Sequence, residues 1–200
     1  MVVTKLVSGG QTGVDRGALE AARELGFDYG GWVPKGRKCE DGPLDAAFDK
    51  MSEMTTVDYL KRTERNVVDS DATVVLCHGV PTGGTRRTVA FCQKHGKPCC
   101  IFDLDAGDPD DTPSSNLFDE VVYLAWLCRK DSIILNCAGP RESKSPGIQA
   151  EARRIFKYLI GYIRSFDGKL MPTKEAHLAN REERERGVGS SLLTSNRDKI

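Results

Sequence analysis

The residues best suited to chemistry lie in Ser8-Gly9-Gly10-Gln11-Thr12-Gly13-Val14-Asp15-Arg16. Glycines let backbone N–H groups approach a ligand closely, and a helix that starts just after them adds unpaired donors and a positive dipole end. The stretch therefore suits an anion, most often a phosphate. It is not a Walker loop, since no Gly-Lys-Ser/Thr follows, and its spacing is not that of the dinucleotide fingerprint. The same residues also fit a tight turn with a cap, Thr12 as N-cap and Asp15 three residues on. A second glycine-rich run, Gly79-Val80-Pro81-Thr82-Gly83-Gly84-Thr85, repeats the pattern. A third polar loop runs from Ala138 through Gly139, Pro140, Arg141, Glu142 and Ser143 to Lys144. Lys35 and Arg37 stand in a polar loop between Val33 and Pro43. That loop reads either as solvated connection or as a lid bringing cations onto an anion held by the first loop.

The elements that must position these loops follow from periodicity. Val2–Val7, Phe27–Val33, Ala72–Cys77, Cys99–Leu104 and Ser132–Cys137 are short apolar runs of strand type. Helical spacing governs Ala18–Leu25, Asp58–Ser70, the stretch from Thr85 to His95, and Ser114 to about Arg129. Asp45–Met54 is a weaker helix, and Ser145-Pro146 opens a long one as N-cap and first helical position. Strands alternate with helices, which implies right-handed crossovers. The expected fold is α/β, Rossmann-like and doubly wound, with a mostly parallel sheet and helices on both faces. In such sheets ligands bind beyond the carboxyl ends of the strands. All three polar loops leave such ends, so they should converge. Residues 1–165 read as one domain. A C-terminal extension, 166–200, carries the alternating charges of Arg181–Arg186.

Composition narrows the function classes. Acids and bases number 29 each, giving no net charge. That balance points away from nucleic acid and membrane surfaces as partners. The absence of a long apolar run or a signal peptide suggests a cytoplasmic protein. Seven cysteines without a C-x-x-C pattern read as reduced core thiols, and no metal ligand is assigned.

From about Lys5 to Ile163 the chain resembles the molybdenum-cofactor carrier protein family, a circularly permuted relative of the lysine-decarboxylase-like, nucleotide phosphoribohydrolase (SLOG) superfamily. The match is carried by Ser8–Ala18, Gly31-Trp32-Val33-Pro34-Lys35-Gly36-Arg37, Glu40-Asp41-Gly42, Arg62-Thr63-Glu64-Arg65-Asn66-Val67 and Ser70-Asp71-Ala72-Thr73. It continues through Gly83-Gly84-Thr85 and Gly139–Gly147. The resemblance implies a homo-oligomer, usually a tetramer, that holds molybdenum cofactor (molybdopterin) without turning it over and passes it to molybdoenzymes. The expected contacts to this phosphorylated ligand are Ser8, Gly9, Gly10, Gln11, Thr12, Gly13, Asp15, Arg16, Lys35, Arg37, Arg62, Gly83, Gly84, Thr85, Arg141, Glu142 and Ser143. Gln11 suits a pterin edge, because an amide offers donor and acceptor. Arg141 and Glu142 also read as a salt bridge pinning their loop, and Arg16 as a solvated cation.

The alternative is a nucleotide-processing enzyme cleaving N-glycosidic bonds. The related hydrolases use Pro-Gly-Gly-x-Gly-Thr-x-x-Glu and an upstream arginine. Arg62 matches the arginine, but Thr88 stands where the glutamate belongs, and a threonine cannot act as carboxylate acid/base. A nucleotide sensor is the third reading. No catalytic residue is assigned.

Overall fold

The computed structural model describes residues 3–106 and 113–165. Val2, part of the acidic loop after Leu104, and the extension 166–200 with its domain boundary lie outside the described residues.

The chain runs β1 (Val3–Val7), α1 (Val14–Glu24), β2 (Tyr29–Val33), β3 (Lys38–Cys39), β4 (Gly42–Pro43), β5 (Met51–Glu53), α2 (Tyr59–Asp69) and β6 (Ala72–Cys77). It continues α3 (Gly83–Lys94), β7 (Cys99–Asp103), α4 (Pro113–Leu127), β8 (Ile133–Ala138) and α5 (Ile148–Ser165). Six strands form one sheet in the order β5-β2-β1-β8-β6-β7, and every pairing in it is parallel. β3 and β4 make a separate antiparallel ribbon. The fold is Rossmann-like α/β.

A parallel sheet covered on both faces demands continuous apolar runs. β6 meets that demand, with all six residues buried. On one side α5 packs against α1 and α4; α2 packs against α3. Ala18, Leu19 and Ala22 of α1 meet a core to which α5 gives Ile155, Phe156, Leu159 and Ile163. No helix among the described residues is long and apolar enough to cross a membrane.

Two expectations fail locally. The segment 45–54 is not helical. The Arg37 guanidinium gathers the carbonyls of Leu44, Asp45 and Phe48 at 2.9–3.1 Å, and the Asp45 carboxylate accepts from the Ala47 N–H. Those carbonyls are thereby drawn out of helical registry. The chain then joins the sheet as edge strand β5, pairing with β2 from Gly31↔Met51 to Val33↔Glu53. Ser145 does not cap the last helix, which begins at Ile148. The Glu142 carboxylate instead accepts from the N–H groups of Gly147 and Gln149, supplying the negative charge that a helix start favours.

Candidate functional site

The loop between β1 and α1 spends its donors on its own chain. The Ser8 N–H donates to the Gly30 carbonyl at 3.1 Å, and the Ser8 hydroxyl to the Asp15 carbonyl at 3.1 Å. The amides of Gly9 and Gln11 bond to the Asp15 carboxylate. Thr12 N–H goes to Gln11 Oε1, Gly13 N–H to Gln149 Oε1, and Val14 N–H to the Pro140 carbonyl. Gly13 is the N-cap of α1 with φ 81° and no side-chain cap. The expected capping box does not form, because the Thr12 hydroxyl donates to Glu40 and Asp15 turns to Arg62. A Cβ on Gly13 would stand 2.2 Å from the Pro140 oxygen. The start of α1 is thus closed by the third loop.

Asp15 and Arg62 form a buried pair at 3.1 Å, their side chains 11% and 9% exposed. Burial pushes the Asp15 carboxyl above its ordinary range, and the charge and hydrogen bond of Arg62 pull it only part of the way back. The pair lies directly on Gly9, where a Cβ would fall 1.2 Å from Arg62 Nη1. Gly9 is therefore required by this ion pair. Arg62 Nε is buried without a partner, as is Gln11 Nε2. Gln11 Oε1 accepts from Thr12 at 3.1 Å and from Glu40 N–H at 2.8 Å. Its amide can offer only donors to anything else.

The second loop is arranged differently. Thr82 is the N-cap of α3 and makes no side-chain cap bond. A Cβ built on Gly83 or Gly84 would meet nothing within 4 Å. Among the described residues no acceptor outside the helix meets the N–H groups of Gly83, Gly84 and Thr85. The start of α3 is an open donor cluster.

The third loop closes over the first. Glu40, from the turn between β3 and β4, accepts from the Ser143 N–H and hydroxyl, besides Thr12. Burial alone would raise the Glu40 carboxyl, but these bonds and Arg141 hold it below its ordinary value. The Arg141 guanidinium lies 3.9 Å from Glu40 and 5.0 Å from the Tyr59 ring centroid.

These loops surround a cavity of about 560 Å³, within the size of small-molecule sites. Of the expected contacts, Gly9, Gln11, Asp15, Arg62, Gly83, Gly84, Thr85 and Arg141 line it. Ser8, Gly10, Thr12 and Gly13 form the floor loop behind that lining. Arg16 pairs with Asp41, Glu142 caps α5, and Ser143 holds Glu40. Lys35 is exposed, and Arg37 braces the 44–48 turn; neither lines the cavity. Asp15 is the only carboxylate residue lining the cavity among the described residues. Thr88 lines it too, its hydroxyl donating back to the Gly84 carbonyl at 3.4 Å. Burial and nearby Asp15 push the Cys137 thiol well above its ordinary range, so this lining residue is no thiolate donor.

The structure adds Tyr59, Arg87, Lys144 and Asn136 to the lining. Arg87 was legible: it stands one turn after Gly83, and helical side chains lean toward the N-terminus. Asn136 was legible as the polar residue inside an apolar strand. Tyr59 carried no signal, because the side of the expected helix that meets the cavity is set by packing of α2 against α3 and β2.

The model of the circularly permutated YpsA SLOG family matches residues 6–160. A crystal structure of a protein from Syntrophus aciditrophicus SB, named "Putative molybdenum carrier protein", is 38% identical to this chain. The match covers 80% of this chain and 94% of that one, with a TM-score of 0.65. No match is found among curated proteins.

Proposed function

We propose, from the premise that this chain belongs to the circularly permutated YpsA SLOG family, that it binds and hands on a phosphorylated small molecule without transforming it, with molybdenum cofactor as the cargo. The observation that carries this reading is the charge and donor pattern of the cavity. Arg62, Arg87, Arg141 and Lys144 line it together with the open amides of α3, against the one carboxylate, Asp15, found there among the described residues. Asp15 is already engaged by Arg62 and by two backbone amides. Such a wall suits an oxyanion with more than one negative group.

The open start of α3 takes the terminal phosphate, with Arg87 above it and Thr85 beside it. Arg62 and Gln11, each with a buried N–H lacking a partner, take acceptors deeper in the cavity. Ser8, Gly10, Thr12 and Gly13 act indirectly: they shape the floor on which Arg62 and Asp15 rest. Arg37, Arg16, Glu142 and Ser143 position loops, Lys35 stays exposed away from the cavity, and none of the five contacts cargo.

Hydrolysis of a glycosidic bond needs a carboxylate free to exchange a proton with the leaving group. Thr88 has none, and Asp15 is clamped. A carrier needs no such group, only donors and a route of release to a recipient enzyme. The name of the Syntrophus aciditrophicus protein and the resemblance of the motifs support the same reading, and the motif resemblance alone supports a homo-oligomeric assembly. Mass spectrometry and elemental analysis of whatever small molecule is released from anaerobically purified protein test it. A phosphorylated pterin with molybdenum in stoichiometric amount is expected. A nucleotide in its place would overturn the cargo assignment.

A further inference from the structure

The cavity has two unlike sides. One is the cationic and donor-rich wall described above. The other is built from the first turn of α2 and from Pro140, where Tyr59 is half-buried and Leu60, though apolar, stays 40% exposed. An exposed leucine beside an aromatic ring inside a cavity is surface suited to an apolar, flat partner.

The ring of Tyr59 is covered by cations. The Arg141 guanidinium carbon lies 5.0 Å from its centroid and Lys38 Nζ 5.9 Å. Arg141 is lightly held. Beyond the ring it has the Glu40 carboxylate at 3.9 Å, too long for a hydrogen bond. Glu40 is already engaged by Thr12 and Ser143. A guanidinium gains more from bidentate bonds to a phosphate or metal oxyanion than from an exposed ring face. An anionic ligand in the cavity would draw Arg141 off Tyr59 and bare a π-face beside Leu60.

We propose that Tyr59 selects the ligand's flat nitrogen heterocycle, which stacks on the ring as Arg141 leaves it for the ligand's anionic group. The proposal rests on the binding reading above and adds its selectivity. Pterins and guanine share the recognised chemistry, a planar 2-amino-4-oxopyrimidine on a phosphorylated chain.

The test titrates the full chain and its Tyr59→Phe and Tyr59→Leu variants by calorimetry with neopterin monophosphate, guanosine monophosphate and ribose 5-phosphate. Thermal unfolding checks that each variant folds. The wild type should bind at least one ringed probe more tightly than ribose 5-phosphate. Tyr59→Leu should weaken that probe about 5- to 150-fold, the range of base–aromatic stacking, and leave ribose 5-phosphate binding no weaker. Tyr59→Phe should keep the wild-type affinity, and pterin fluorescence should be quenched by wild type and Tyr59→Phe only. Preference between the pterin and the purine identifies the source of the ring. Equal weakening of all three probes by Tyr59→Leu, or of none, overturns the role of Tyr59 while the anion-binding reading stands. Failure of every probe to bind the wild type overturns both.

Discussion

The Asp15–Arg62 pair supplies the sharpest quantitative expectation. Replacing Arg62 by Met keeps the length of the side chain and removes its charge. It leaves a carboxylate, 11% exposed, with only the Gly9 and Gln11 amides for company. Breaking a buried pair by removing one partner costs about 3–5 kcal/mol at neutral pH. For a chain of this size that lowers Tm by about 6–20 °C. The cost must depend on pH. Burial already raises Asp15, and Arg62 is what opposes the rise, so in Arg62→Met the carboxyl moves higher still. An acid whose folded value lies above its unfolded one holds its proton in the folded state where the unfolded chain has lost it. Stability therefore falls as pH rises through that interval, and the penalty disappears below the ordinary aspartate value of 3.8. The double variant Asp15→Asn, Arg62→Met carries no buried charge and should recover most of the loss, to within about 1–2 kcal/mol of wild type. Urea unfolding at about pH 5 and about pH 8 measures all of this. A single-variant cost below about 1 kcal/mol, a cost equal at both pH values, or a double variant no better than the single would refute the reasoning.

Three further expectations follow from particular contacts. Glu142→Ala strips two acceptor bonds from the start of α5 and should cost about 1–2 kcal/mol by urea unfolding; no change would mean that α5 needs no cap. Gly13→Ala sets a Cβ 2.2 Å from the Pro140 oxygen at a φ of 81°, so it should destabilise by more than about 2 kcal/mol, and an unchanged Tm would contradict the closed start of α1. His78 is raised by its hydrogen bond to Asp105 and by Glu151, so its support is full below pH 6.5 and fades as pH climbs through the raised folded value; His78→Gln should remove that slope from urea midpoints, and an identical slope in both proteins would refute it.

The sequence spoke most clearly where one periodicity admitted one solution. The apolar run Ala72–Cys77 had to be a strand buried on both faces, and alternation with helices required the parallel order. The convergence of three loops at the strand ends followed from topology alone. What escaped was set by contacts distant in sequence. The pull of Arg37 on three carbonyls unmakes a helix at 45–54. The partner of Asp15 is 47 residues away, so a spacing that fits a capping box serves an ion pair instead. Glycine content alone did not separate the loop that packs from the loop that stays open. The first is closed by Pro140 and Gln149 from the far end of the chain, and the second has no such neighbour among the described residues. Tyr59 faces the cavity because α2 packs against α3 and β2, contacts distant in sequence.

The most direct test of the central claim is titration of the purified full chain with molybdenum cofactor under anaerobic conditions, followed by absorbance, beside a parallel assay for free base released from nucleoside monophosphates. Stoichiometric binding at about micromolar affinity or tighter is expected, weakened by Arg87→Glu at the open helix start, with no release of base. Absence of cofactor binding together with base release would contradict that claim, and would hand Asp15 the role of a catalytic acid.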